Sequence, residues 1–190
     1  MNTLLPEYAS VLNTLRETAA KICKARDDTT AVINAPVRVY IDGGFDLLHS
    51  GHYNAIRQAK NMSDILVAGV NSDEDLLKNK GPTILNQEER AEILRHCKFV
   101  DEVVVGTQYT PDFELLKKLD CGFYAHGDDP CFNSDGVDLT KLFKERGMFK
   151  VFKRTEGVST TDITGKLLAL AEDSMKKDQQ GHNGNQGSPN

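Results

Sequence analysis

His49 and His52 stand three residues apart in the run His49-Ser50-Gly51-His52, beyond a β-branched stretch and at the start of a helical one. In the first turn of a helix that spacing lets both rings face one side. Gly51 keeps a side chain from crowding a ligand there, and the helix N-terminus adds free amides and the positive end of the dipole. Two imidazole donors beside such a terminus can stabilise charge that builds on phosphate oxygens during an in-line displacement. Taken alone, the pair is also open to a helix cap or to two ligands of a metal site.

A second cluster lies far downstream in Arg154-Thr155-Glu156-Gly157-Val158-Ser159-Thr160-Thr161-Asp162-Ile163. Ser159, Thr160 and Thr161 open a helix with hydroxyls and free amides, and Arg154 stands just beyond a strand, a combination suited to the β and γ phosphates of a nucleotide. An N-cap with a surface arginine accounts for that segment equally well by itself. Lys80, ahead of Gly81-Pro82, sits in a loop where a lysine is ordinarily solvated. Asp42 ends a strand, so its carboxylate can meet an ammonium group or close a turn. His126-Gly127-Asp128-Asp129 follows another strand, either as a ligand contact or as a turn. Arg90 is left outside the site, since pairing along its own helix explains it equally well.

The elements that must carry these residues alternate. Strands are expected at 37–42, 65–70, 102–105, 122–126 and 150–153, and helices at 50–60, 87–96, 112–119, 139–146 and 161–171. Short continuous apolar strands alternating with helices predict a Rossmann-like, doubly wound α/β fold, a parallel five-stranded sheet with helices on both faces. In such sheets ligands bind beyond the carboxyl ends of the strands, where the strand order reverses. Ahead of the first strand, Tyr8, Val11, Leu12, Leu15, Ala19 and Ile22 recur at helical spacing and predict an amphipathic helix from Pro6 to Ala25, a packing or dimer element. The expected organisation is therefore helix and linker in residues 1–35, the α/β domain in 36–172, and a disordered tail in 173–190, where apolar residues almost vanish.

Composition narrows the function. Lys and Arg total 23 against 28 for Asp and Glu, and the basic residues are scattered, so no basic stripe invites a nucleic acid. No apolar run approaches the roughly 20 residues that span a bilayer, so integral membrane association is not expected. Cys23, Cys97, Cys121 and Cys131 form no Cys-x-x-Cys pair, which predicts free thiols in a reducing, cytoplasmic compartment, with a Cys121–Cys131 bridge or metal site as the alternative.

Gly44-Phe45-Asp46-Leu47-Leu48-His49-Ser50-Gly51-His52 matches the signature G-x-F-D-x-x-H-x-G-H, and the Arg154 to Ile163 segment matches a second signature in the same order. On these two segments, between about Val37 and Leu170, the chain resembles the cytidylyltransferase family of the HxGH nucleotidyltransferases. The resemblance implies CTP bound with Mg2+ by Gly44, Phe45, His49, His52, His126, Asp128, Arg154, Thr155, Ser159, Thr160 and Thr161. It implies catalytic roles for His49, His52, Lys80 and Arg154, with Asp42, Lys80 and Tyr109 on the acceptor, no dedicated protein metal site, and a homodimer.

The acceptor follows from chemistry together with that resemblance. A quaternary ammonium is held by aromatic faces, whereas this chain contains no tryptophan and places Tyr109 and Thr140 where choline-type relatives have aromatic residues. A primary ammonium needs acceptors such as Asp42, and the Lys80, His126 and Gly157 segments resemble ethanolamine-type members, so phosphoethanolamine is the expected acceptor. The Leu47 to His52 segment is closer to choline- and glycerol-type members, which keeps phosphocholine and glycerol 3-phosphate as alternatives. A regulatory nucleotide-binding domain without activity is the non-enzymatic one.

Overall fold

The order in which the chain lays down its strands decides where the site can lie. A computed structural model of the chain describes residues 6–33, 35–132 and 136–183. Two compact units are present, Met1–Pro36 and Val37–Asn190. The first holds helix α1, Pro6–Ile33. It runs past the expected end at Ala25, because Arg26 to Ile33 contains neither Gly nor Pro and Pro36 is the next breaker.

The second unit contains β1 (Arg38–Gly43), α2 (Ser50–Lys60), β2 (Ile65–Asn71), α3 (Asp73–Asn79), α4 (Gln87–Arg95), β3 (Glu102–Thr107), α5 (Phe113–Lys118), β4 (Phe123–Gly127), α6 (Leu139–Glu145), β5 (Phe149–Phe152) and α7 (Thr160–Asn183). The five strands form one sheet in the order β3-β2-β1-β4-β5, and every neighbouring pair is parallel. The chain winds outward from β1 to β3, then returns to lay β4 against the other side of β1. That reversal makes the β1/β4 boundary the switch point of a doubly wound sheet, and ligands bind at its carboxyl edge.

Alternate residues of β1 serve opposite faces. Val39 and Ile41 pack with Ile56 and Ala59 of α2 and Ala91 and Leu94 of α4. Tyr40 packs on the other face with Leu116 of α5, Tyr124 of β4, and Leu139 and Phe143 of α6. Helices therefore cover both faces, as the alternation predicts.

Side-chain caps start the helices. Asn86 accepts from the Glu88 and Glu89 amides at 3.0 Å each while Glu89 reaches back to the Asn86 N–H at 2.9 Å, and Asp112 and Asp138 cap α5 and α6 by accepting from the Leu115 and Lys141 amides. Helix α3, absent from the sequence expectation, is only seven residues long. Its Ser72 cap and three leading acids look like a loop until Leu76, which it buries, is seen in the core. Helix α7 also departs from expectation, continuing to Asn183 where a disordered tail was expected from 173. Ala, Leu, Glu, Met, Lys and Gln are good helix formers, and extending a nucleated helix needs no apolar core. Residues 184–190 of that tail lie outside the described residues. Among the described residues no helix is long and apolar enough to cross a membrane.

Candidate active site

His49 is the N-cap residue of α2, its backbone extended at φ −129° and ψ 175° while its Nδ1 accepts from the Gly51 N–H at 3.1 Å. The His52 Nδ1 accepts in turn from the His49 N–H at 3.4 Å. A ring nitrogen that accepts carries no proton, so each neutral imidazole holds its proton on Nε2. The rings lie 3.9 Å apart between centroids with planes inclined by 35°. Burial, assisted by the His49, Lys80 and Arg154 charges, lowers the pKa of His52 to about 4. Burial and then Arg154 also lower that of His49. The product is two uncharged Nε2–H donors side by side. The helix-cap reading and the ligand-donor reading are thus compatible, because the bonds that cap α2 are the ones that set the tautomers. Among the described residues there is no group of three or more His, Cys, Asp or Glu that could hold a metal ion.

Gly51 leaves room for the His49 ring, since a Cβ at that position would stand 2.9 Å from His49 Cε1 and displace it, and the Val158 carbonyl lies within 3.5 Å of the same point. The same close approach brings in the second motif. Gln58 of α2 donates to the Lys153 carbonyl at 2.9 Å and accepts from the Lys153 N–H at 3.1 Å, and Asn54 Nδ2 donates to Thr155 Oγ1 at 2.9 Å. Arg154 is held between those contacts. Its N–H donates to Asp128 Oδ1 at 3.1 Å and its guanidinium pairs with Asp129 Oδ2. His126, near the end of β4, lies beside Tyr124 with ring centroids 5.9 Å apart.

The start of α7 is partly committed to the protein itself. Ser159 Oγ donates to Asp162 Oδ2 at 2.7 Å and accepts from the Asp162 N–H at 3.1 Å, while the Thr160 hydroxyl donates to the Asp46 carbonyl at 3.2 Å. Of the three hydroxyls expected to face a ligand, two are turned to internal partners, and the Asp162 N–H is taken by Ser159 Oγ, leaving the exposed Thr161 and the amides of Thr160 and Thr161 as donors. Lys80 caps the end of α3 before Gly81, whose φ of 121° suits only glycine. Its charge reaches both imidazoles, which places it within the site's electrostatic field.

Between these parts, the loop after β1 takes an unusual path, with Phe45 at φ 51° and Leu47 at φ 46°. It is held by two residues whose roles were not legible beforehand. Asp46 accepts from the Ile84 and Leu85 N–H groups at 2.7 and 3.1 Å. Arg90, with 0% exposure, donates to the carbonyls of Gly44, of Asn71 at 2.9 Å and of Leu85 at 3.1 Å, and pairs with Asp73 at 2.7 Å. Arg90 therefore does not pair along its own helix, as the sequence suggested. It joins the ends of β1 and β2 to the loop before α4, and buried guanidinium groups persist only with such complete pairing. Only the position of Asp46 within the first signature hinted at its part.

On the opposite face, Asp42 at the end of β1 accepts at Oδ1 from the Tyr124 hydroxyl at 2.9 Å. Burial raises the Asp42 pKa to about 7, with Tyr124 and then Asn71 opposing the rise. Tyr109 lies in the loop after β3, its N–H donating to Asp75 Oδ2 at 3.1 Å, so its described tether is to α3 rather than to Asp42. Tyr124 had no local signal, because its partner is 82 residues away in sequence.

A parallel sheet with paired imidazoles and a helix start at its switch point defines a nucleotide-handling α/β domain of Rossmann-like type. Residues 40–166 match the family model described as cytidylyltransferase-like, and the chain belongs to that family. It is 47% identical over 148 residues to the ethanolamine-phosphate cytidylyltransferase of Dictyostelium discoideum, covering 78% of this chain and 41% of that protein. It is 45% identical over 135 residues to choline-phosphate cytidylyltransferase A of Rattus norvegicus, covering 70% of this chain and 37% of that protein. The chain thus spans less than half the length of these two curated relatives. The lipopolysaccharide core biosynthesis protein of Thermoplasma volcanium shares the fold, with a TM-score of 0.52 at 22% identity, over 64% of this chain and 98% of that one.

Proposed function

We propose that this chain carries the catalytic domain of an ethanolamine-phosphate cytidylyltransferase, joining CTP and phosphoethanolamine into CDP-ethanolamine and pyrophosphate. The observation that carries the reading is the pair of neutral Nε2–H donors at the switch point, with the Lys80 and Arg154 cations in electrostatic reach of both. A phosphate oxygen of phosphoethanolamine attacks the α-phosphorus of CTP. The bond from that phosphorus to the bridging oxygen breaks, and pyrophosphate leaves with the electron pair. The nucleophile is preformed, so positioning and charge stabilisation suffice and no covalent enzyme intermediate is needed.

In this mechanism His49 and His52 donate to the α-phosphate oxygens as their charge develops. Arg154, Thr155, the Thr161 hydroxyl and the backbone amides of the Ser159, Thr160 and Thr161 turn hold the β and γ phosphates, while Gly44, Phe45, His126 and Asp128 border the nucleotide. Lys80 follows the transferred phosphate on its flexible stem. Asp42 and Tyr109 face the acceptor. A Mg2+ ion fits as a companion of the triphosphate, since a site of neutral N–H donors and cations supplies no cage and Mg2+ is commonly held by substrate phosphates and water. It would supply charge neutralisation on those phosphates.

A cytoplasmic location and a homodimeric state belong to the same reading. The four free thiols accord with a reducing compartment, and sedimentation of the purified chain reads the dimer directly.

The test is a panel of phosphoethanolamine, phosphocholine and glycerol 3-phosphate with CTP or ATP, read as pyrophosphate release and CDP-linked product. CDP-ethanolamine from CTP is expected. A better product from either other acceptor overturns the acceptor assignment. CTP binding without pyrophosphate from any acceptor overturns catalysis in favour of a regulatory nucleotide-binding domain.

A further inference from the structure

Strands β1 and β4 present one carboxylate and two phenols to the α5–α6 face. Tyr40 and Tyr124 are register partners, their rings 6.2 Å apart between centroids. The Tyr124 hydroxyl donates to Asp42 Oδ1 at 2.9 Å. The other carboxylate oxygen, Oδ2, is shut from solvent without a hydrogen-bond partner, and so is the Tyr40 hydroxyl. The Asn71 amide lies near enough to help hold the Asp42 carboxyl down, but its N–H groups are aimed at Thr107 Oγ1 at 3.3 Å and the Gln108 carbonyl at 2.8 Å and make no hydrogen bond to Oδ2. Tyr40 fits only because residue 69 is glycine, since a Cβ there would stand 2.0 Å from the phenol oxygen. An unpaired buried carboxylate oxygen is costly, and this one sits at the carboxyl end of β1 beside the switch point.

We infer that Tyr124 is the positioning residue that makes Asp42 selective for a primary ammonium. It holds Oδ1 and leaves the desolvated Oδ2 as the one acceptor that an ammonium N–H can satisfy. The inference rests on the reaction proposed above. A primary ammonium has three N–H donors and repays the desolvation of Oδ2, whereas a quaternary one has none and leaves it unpaired. Sites built to hydrogen-bond a substrate reject analogues that lack the donor far more strongly than apolar pockets reject a change of size. Discrimination here comes from the penalty on the wrong headgroup as much as from attraction to the right one.

The titratable groups facing the carboxylate are the Tyr40 and Tyr124 phenols and the Cys131 thiol, all pushed upward by burial first and by the Asp42 charge, and hence neutral near pH 7. Asp42 itself titrates near 7, with the Tyr124 hydroxyl holding it down. Loss of that hydroxyl therefore moves Asp42 ionisation to higher pH.

The experiment is steady-state kinetics of the full chain and of Tyr124→Phe, with CTP and either phosphoethanolamine or phosphocholine, from pH 6 to 9. The phenylalanine ring keeps the packing of Tyr124 against Phe143 and Phe149, and a thermal melt checks folding. Expected are an increase of about tenfold in KM for phosphoethanolamine, as for one hydrogen bond to a charged group, an unchanged KM for CTP, and an acid limb moved to higher pH. The preference for phosphoethanolamine over phosphocholine should fall as well. As a second variant, Asp42→Asn should lose that acid limb altogether. Tyr124→Phe indistinguishable from wild type in KM, acid limb and preference overturns the inference while the reaction stands. Wild-type protein that makes no CDP-ethanolamine overturns the reaction assignment first and this inference with it.

Discussion

Asn54 Nδ2, on α2, donates to the Thr155 hydroxyl at 2.9 Å, joining the histidine helix to the Arg154 segment 101 residues later. The Gln58 fork on Lys153 lies beside it, so α2 and the chain leaving β5 are fastened at two points. Two groups proposed to grip one triphosphate are thereby kept at a fixed separation.

Asn54→Ala removes one of those fastenings without touching the reacting atoms. It should raise KM for CTP about fivefold, with kcat nearly unchanged and stability lowered by about 1 kcal/mol, the usual net value of one hydrogen bond. Steady-state kinetics with CTP varied, paired with urea unfolding, reads both. A fall confined to kcat would contradict the positioning role.

His52→Ala deletes one of the two Nε2–H donors. The expected loss is about 3 kcal/mol of transition-state stabilisation, by analogy with removal of one oxyanion donor. It should appear in kcat rather than in KM for CTP, and single-turnover pyrophosphate release measures it. Unchanged turnover would remove His52 from the reaction.

Arg90→Met leaves the Gly44, Asn71 and Leu85 carbonyls and Asp73 without their buried donor. Breaking such a buried set costs about 3 to 5 kcal/mol, and urea denaturation should show it as a lowered midpoint. Activity should fall too, because the loop after β1 loses its anchor. A variant as stable as wild type would show that the guanidinium is dispensable.

Asp42 and His52 pull stability in opposite directions with pH. The folded-state pKa of Asp42, raised by burial to about 7, exceeds that of an unfolded aspartate. Its contribution is complete below the unfolded value and is lost as pH rises through 7. The folded-state pKa of His52, lowered by burial to about 4, lies below that of an unfolded histidine. Its contribution is complete above about 6.5 and is lost as pH falls toward 4. Each is worth about 2 kcal/mol between pH 7 and 5 by linkage. Urea unfolding at those two pH values should find the two effects largely cancelling in wild type, Asp42→Asn less stable at pH 5, and His52→Gln more stable there. Equal slopes for the three proteins would refute the assignment.

Much of the molecule was legible in the chain itself because the physics involved is local. Helix periodicity, strand runs and caps act over a few residues. The His49–His52 pair could thus be placed at a helix start and the Ser159 to Thr161 segment at another, and the alternation implied a parallel sheet. Short-range pattern misjudged only weak local signals, such as the seven-residue α3 and the continuation of α7 to Asn183.

What the tertiary structure decided depends on which distant residues become neighbours. The order β3-β2-β1-β4-β5 sets β4 against β1, and only then does Tyr124 reach Asp42 and leave a single carboxylate oxygen unpaired. Burial turned Arg90 from an expected partner along its own helix into the anchor of the site loop, and backbone amides chose the tautomers of both histidines. Desolvation and long-range hydrogen bonds arise from assembled surroundings, which residue type and spacing alone do not specify.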